Sequence, residues 1–362
     1  MADYRTCLQH LEENTRLIDV AGLPVTIKPV PDEDLPGAVD PRVRAVRTQP
    51  PSQMSEVDPY TYNGIPIGAM RQKMGWANAD ITAGDVRTQC RTIDGKNGPI
   101  GLFIYTASKA KPGCPCLVFI HGGGFFGGSC KTVENPCKAI AEKAECVVVS
   151  VDYRLAPEHP YPQGFEDCFD AVTWVYNHAR ELEIDPHKIG VAGDSAGGNL
   201  SAVCTLKDRD LGSGMIHYQA LIYPTVDRGP FDGNPYYDWT LDAFTFRPED
   251  EQMARQCALG IYGVDANSTA LYLTSPGQVD DPYASPLRAE DFKGLPKSLI
   301  VVAEFDSLRL QCEAYARRLM EDGVEVRMLR YNGMDHAFID KCGLYPQAED
   351  CYREIAQDLK SL

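Results

Sequence analysis

No apolar run in this 362-residue chain approaches the roughly 18 to 20 residues needed to cross a bilayer. The longest, Cys116 to Ile120, Cys146 to Val151 and Leu299 to Ala303, have the length of strands. Basic side chains are scarce: 35 against 51 acidic ones give a formal charge of −16, which disfavours nucleic acid and anionic lipid surfaces as partners. The first residues carry Asp3, Arg5, Glu12 and Glu13 and no small-residue cleavage site, so they do not read as a signal peptide and a cytoplasmic protein is expected. No Cys-x-x-Cys spacing occurs, which removes the simplest zinc and redox motifs. The 13 cysteines are odd in number and scattered from Cys7 to Cys351; they form no secreted disulfide framework and are given no function. There is no Gly-Lys-Ser/Thr loop and no Gly-x-Gly-x-x-Gly with a downstream ribose-binding acid, which argues against nucleotide binding. What is present is ordinary globular material, 44% apolar and 24% charged, enough for one large domain with a smaller companion.

Residues 1–85 are rich in proline and charge and read as an N-terminal cap region without strands, carrying helix-like fragments at Leu8 to Ile18 and Ile67 to Trp76. From Val86 the texture becomes that of an α/β sheet. The runs Val86 to Ile93 and Ile100 to Tyr105, separated by Asp94-Gly95-Lys96-Asn97-Gly98, predict an antiparallel hairpin. Short apolar strands and amphipathic helices then alternate to the C-terminus, about eight strands in all, interrupted at about 225–285 by prolines, glycines and aromatics such as Phe231, Trp239 and Phe244. This segment reads as an insertion into a catalytic domain covering 86–362.

Gly193-Asp194-Ser195-Ala196-Gly197 stands between an apolar run and a helical stretch, the strand-turn-helix context in which Gly-x-Ser-x-Gly presents a nucleophilic serine. His121-Gly122-Gly123-Gly124 follows an earlier strand and offers backbone N–H groups to a substrate oxygen; Gly123, Gly124 and Ala196 are the candidate oxyanion donors. A base is found by chain order, serine then acid then histidine, which leaves His217 and His336. His217 opens a strand, away from the carboxyl ends where such sites assemble, so His336, in the loop past the last strand, is preferred. For the acid, Asp306 is preferred over Glu304, which reads as a structural hydrogen-bond partner. Asp335 reads as a solvated loop carboxylate and His121 as a strut of the glycine loop. Phe125 and Phe126, beside that loop, are candidate substrate-binding residues.

These residues resemble the hormone-sensitive-lipase-like branch of the α/β-hydrolases, the carboxylesterases of bacterial family IV. The likeness is carried by His121 to Phe125, Asp152-Tyr153-Arg154-Leu155-Ala156-Pro157-Glu158, Gly193 to Leu200, and Asp306 to Arg309 with Gly333 to Phe338. The resemblance implies an α/β-hydrolase fold, a mostly parallel eight-stranded sheet with helices on both faces. It also implies a helical cap built from the N-terminal region and the insertion, and a Ser195–His336–Asp306 triad needing no metal or organic cofactor. Short- to medium-chain acyl esters are the implied substrates, with no membrane insertion and with a homo-oligomer left open. Two departures stand out. The family usually has proline after the aspartate and an acid four residues on, where this chain has Ser307 and Leu310. A non-catalytic small-molecule receptor on the same fold, which would lack the histidine, and an amidase or peptidase with the same triad are the competing readings.

Overall fold

The computed structural model describes residues 2–49, 57–75 and 78–362. Among these residues ten strands form one sheet: β1 (Arg16–Val20), β2 (Leu23–Lys28), β3 (Val86–Gly95), β4 (Gly98–Ala107), β5 (Cys114–Ile120), β6 (Val147–Asp152), β7 (Ile184–Asp194), β8 (Tyr218–Ile222), β9 (Lys297–Phe305) and β10 (Val326–Asp335). Their spatial order is β1-β2-β10-β9-β8-β7-β5-β6-β4-β3. The seven strands from β2 to β6 in that order are mutually parallel, and antiparallel pairs close both edges. The hairpin predicted from Val86 is β3–β4, in register from Val86 opposite Ala107 to Gly95 opposite Gly98.

Among the described residues the α-helices are α1 (Tyr4–Glu13), α2 (Pro41–Arg47), α3 (Ile67–Gln72), α4 (Glu134–Ala144), α5 (Gln163–Asn177), α6 (Ala196–Leu211), α7 (Glu251–Ala258), α8 (Asp265–Tyr272), α9 (Arg309–Glu321) and α10 (Pro346–Lys360). Because successive side chains of a strand point to opposite faces, the central strands feed two cores. In β5, Leu117 and Phe119 enter the core under α4 and α10, whereas Val118 and Ile120 enter the core under α5 and α6. None of the described helices is long and apolar enough to cross a membrane.

The first 30 residues correct the expectation of a strandless N-terminus and of eight strands. The helix ends at Glu13, not near Ile18, and the chain then turns through Ala21 and Gly22, both at positive φ, into the β1–β2 hairpin. Two consecutive positive-φ residues make the tight connection that suits the right-handed twist of paired strands. Pro24 is tolerated because it precedes Val25, where the ladder to β10 begins. Of the second expected helical fragment, Ile67–Gln72 is helical and Trp76 lies outside the described residues. Residues 225–285 carry α7, α8 and short 3-10 turns and no strand, between β8 and β9.

Candidate active site

Four loops leave the carboxyl ends of neighbouring parallel strands and meet. Ser195 follows β7, the glycine loop follows β5, Asp306 follows β9 and His336 follows β10. Ile120 lies opposite Gly193, and Phe305 opposite Asp335, so sheet register delivers all four loops at one level.

Ser195 sits at φ +54°, ψ −116°, an unfavourable backbone for a residue with a side chain and one that costs about 1–3 kcal/mol. The turn is tight enough that a Cβ on Gly197 would lie 2.0 Å from the carbonyl oxygen of Ile120, and one on Gly193 would lie 2.4 Å from the Gly197 carbonyl. Glycine at both positions is therefore a steric requirement. Asn199, one turn into α6, fixes the elbow by donating from Nδ2 to the carbonyls of Thr225 at 2.7 Å and Ala284 at 3.0 Å.

His336 Nε2 is 3.0 Å from Ser195 Oγ and its Nδ1 is 2.7 Å from Asp306 Oδ2. The carboxylate only accepts, so Nδ1 carries the proton and Nε2 is left to accept from the serine hydroxyl. Asp306 is fully buried and its other oxygen accepts the Leu308 N–H at 2.9 Å. Burial alone would lower the His336 pKa. The Asp306 charge and hydrogen bond, helped by Asp194 and Asp340, outweigh it, and the net shift is upward from the ordinary 6.5.

Of the candidate oxyanion donors, Gly123 at φ +124° and Gly124 at φ +60° bend the loop back on itself; a Cβ at Gly123 would lie 2.1 Å from the Gly127 carbonyl oxygen. Gly122 spends its N–H on Asp194 Oδ1 at 2.8 Å. The amides of Gly123, Gly124 and Ala196 have no acceptor among the described residues. Burial and the charge of Asp340 push the Asp194 carboxyl up, against the Gly122 hydrogen bond that pulls it down.

A cavity of about 340 Å³ opens over Ser195 and His336, walled by Met70, Met74, Phe126, Ile261, Val264 and Leu308. Phe126 is part of that wall. Phe125 is not: its ring is buried behind the wall, stacked on Tyr272 at 3.8 Å, because its φ of +67° turns the side chain away from the cavity. Glu304 acts as a strut, accepting the Gly333 N–H at 2.7 Å. His121 is another, stacked on Tyr153 with Nδ1 donating to the Gly122 carbonyl at 2.8 Å. His217 lies at the start of β8, edge-on to His187 and away from these groups. Asp335 is corrected: it is buried and paired with Arg47 at 2.7 Å rather than solvated. All 13 cysteines are free thiols. No cluster of three or more metal-ligating side chains occurs among the described residues.

Sequence reasoning missed the wall contributed by Met70 and Met74, since nothing local ties α3 to a loop more than 50 residues away. Arg71 supplies the tie, donating from Nε to the Phe126 carbonyl at 2.5 Å, from Nη2 to the Ala156 carbonyl at 3.0 Å, and to both oxygens of Glu158. The stretch Asp152 to Glu158 thus has a scaffold role, to which Tyr153 adds a hydroxyl bond to the His121 carbonyl at 2.9 Å.

A strained serine at a strand-to-helix turn, with a histidine delivered by a later strand, defines an α/β-hydrolase. A family model for the alpha/beta hydrolase fold matches residues 117–340. The chain is 34% identical to Esterase LipI of Mycobacterium tuberculosis over 78% of its own length and 85% of that protein's. It is 38% identical to the hyperthermophilic esterase of the archaeon Pyrobaculum calidifontis, with a TM-score of 0.66 over 76% of this chain and 85% of that one. Ester-hydrolase EH1AB1 from the metagenome of Lake Arreo, solved with a derivative of bipyridine phosphonate, is 27% identical with a TM-score of 0.74, over 89% and 98% of the two chains. The chain belongs to the hormone-sensitive-lipase-like branch of the α/β-hydrolase family.

Proposed function

We propose that this carboxylic ester hydrolase works through an acyl-enzyme on Ser195. His336 Nε2 takes the hydroxyl proton as Oγ adds to the ester carbonyl, and the Asp306 carboxylate stabilises the imidazolium. The new oxyanion accepts from the amides of Gly123, Gly124 and Ala196, each donor contributing about 3 kcal/mol. Collapse expels the alcohol, which leaves with the proton from His336. Water, deprotonated by the same imidazole, then releases the acid and restores Ser195. No metal or organic cofactor enters either half-reaction.

The observation that supports this reading is the unbroken relay from Asp306 through His336 to Ser195, 2.7 Å and 3.0 Å long, at the end of an apolar cavity. The substrate class proposed is a small-molecule ester with a short- to medium-length acyl group, sized by the 340 Å³ cavity. Residues 57–75 and 225–285 serve as the cap over it. A competing receptor role has no need of a buried acid holding a histidine on a serine.

The test is a panel of p-nitrophenyl esters of increasing acyl length with a matched anilide. Turnover of the short esters, lost in Ser195→Ala, is expected. Turnover of the anilide at a comparable kcat/KM would move the assignment to an amidase, and no turnover of any ester would leave the receptor reading.

A further inference from the structure

A second cavity, of about 580 Å³ and open to the outside, lies on the far side of the cap wall. Its lining is mostly apolar, with Phe231, Leu273, Pro276 and Val279 among the contributors. The two cavities have two lining residues in common, Arg228 and Asp265. Helix α8 runs between them: Ser268 faces the Ser195 side, Ala266 and Ala270 face the outer side, and Asp265 is on the boundary.

The Arg228 side chain is only 1% exposed although it borders both spaces. Its guanidinium donates from Nη1 to Thr225 Oγ1 at 2.7 Å and Asp265 Oδ1 at 2.8 Å. From Nη2 it donates to the Asp265 carbonyl at 3.3 Å, Ser268 Oγ at 3.3 Å and Thr269 Oγ1 at 2.5 Å. The cation also lies 5.3 Å from the centre of the Phe125 ring, and Ser268 Oγ donates to the Gly124 carbonyl at 3.1 Å. A buried charge with this many fixed partners is held in one position, since displacing it would strand Asp265 as well. Nothing on the polar face of this plate can hydrogen-bond to a methylene chain.

We propose that the Arg228–Asp265 pair is the end wall of the substrate cavity and sets the longest apolar tail the ester can carry; its removal joins the inner cavity to the outer one. The proposal rests on the esterase reading for its substrate but not for its geometry. An apolar tail longer than the inner cavity meets a desolvated ion pair, whereas in the opened protein the same tail runs on over Leu273 and Val279. Each pair of extra methylenes that becomes buried is worth about tenfold in affinity.

The test uses Arg228→Ala/Asp265→Ala, which removes both charges and so leaves neither unpaired. The ratio of kcat/KM for p-nitrophenyl laurate over butyrate is expected to rise about tenfold or more. Adding Ala270→Trp, which narrows the outer cavity, brings the ratio back at least in part, and Ala270→Trp alone leaves it at the wild-type value. Arg228→Lys, too short to reach Thr225, Asp265 and Thr269 together, moves the ratio the same way by less and serves if the double variant does not fold. An unchanged ratio in either opened variant, or a shift in Ala270→Trp alone, overturns the wall. Calorimetric binding of 1-decanol to the same variants carrying Ser195→Ala reads the wall without turnover. Tighter binding in the opened variant, reversed by Ala270→Trp, is expected, and equal binding overturns the proposal. A wild-type protein that leaves butyrate intact yet shows this decanol pattern refutes the esterase reading alone.

Discussion

The floor of the site and its roof are built on different principles. The floor is three side chains, each one residue beyond a parallel strand, whose positions follow from the pairing of β10, β9, β8 and β7. Its hydrogen bonds run between side chains, so each partner needs a particular chemistry. The roof comes from one segment ahead of the floor's residues, 57–75, and one between Ser195 and Asp306, 225–285. It is held down mainly by side chains that reach carbonyls of the floor: Arg71 to Phe126 and Ala156, Ser268 to Gly124, and Trp239 Nε1 to Ser307 at 2.9 Å. A carbonyl is present whatever the residue, so the roof constrains geometry and leaves identity freer. On the proposed function, the difference would separate bond-making from substrate selection: changes to the floor should act on kcat and changes to the roof on KM.

The largest test of that separation is Ser195→Ala, which should cut kcat by about 10⁵-fold or more while leaving the unfolding midpoint near wild type. Retained turnover would remove the floor from the chemistry altogether. Next, Asp306→Asn should lower kcat by about 10⁴-fold, because an amide in that place no longer fixes the Nδ1–H tautomer. Glu304→Gln should stay close to wild type in kcat. On the same proposal Asp306 should also set the pH dependence. The base must be neutral to act, and its pKa is raised, so the acidic limb of kcat/KM should lie above pH 6.5. In Asp306→Asn the residual activity should show that limb at lower pH, since the largest opposing contribution to burial is gone; a limb that stays put would detach Asp306 from His336.

On the roof, Arg71→Ala removes four hydrogen bonds and frees two carbonyls, Phe126 and Ala156. An increase in KM of about tenfold, larger than any fall in kcat, is expected, with about 1–3 kcal/mol lost in urea unfolding. An equal fall in kcat with KM unchanged would erase the distinction between the two regions. The smallest effect is Ser307→Ala, at the position where the family usually carries proline. Ser307 Oγ donates to the Ala258 carbonyl at 2.6 Å and accepts the Tyr262 N–H at 2.9 Å, so it fastens the cap to the catalytic loop as proline could not. Its removal should cost about 1–2 kcal/mol in urea unfolding and leave saturating kcat near wild type.

Much of the floor is legible in one dimension because its chemistry is local. The Gly193 and Gly197 requirement and the glycine loop follow from rules spanning a few residues each; chain order narrowed the base to His217 and His336, a strand-end position selected His336, and Asp306 followed from where a short carboxylate can reach an imidazole. The misreadings share a cause. β2 resembled a proline-rich coil because its parallel partner, β10, begins about 300 residues later, with Met328 opposite Val25. Asp335 looked solvated because Arg47, its partner, lies 288 positions away. Phe125 looked like a pocket residue because proximity in sequence to the glycine loop does not disclose φ.

By itself, the order of amino acids determined the sheet class, the elbow that strains Ser195, and the residue types able to share a proton beside it. These are set by backbone sterics and by side-chain pKa, and both act over a turn or less. The ten-stranded extent of the sheet, the methionines over the site, the Arg71 latch and the Arg228–Asp265 wall were decided only by tertiary structure. Each depends on which distant surfaces come together when the chain buries its apolar faces, and a hydrogen bond across such a seam leaves no mark on the sequence at either end.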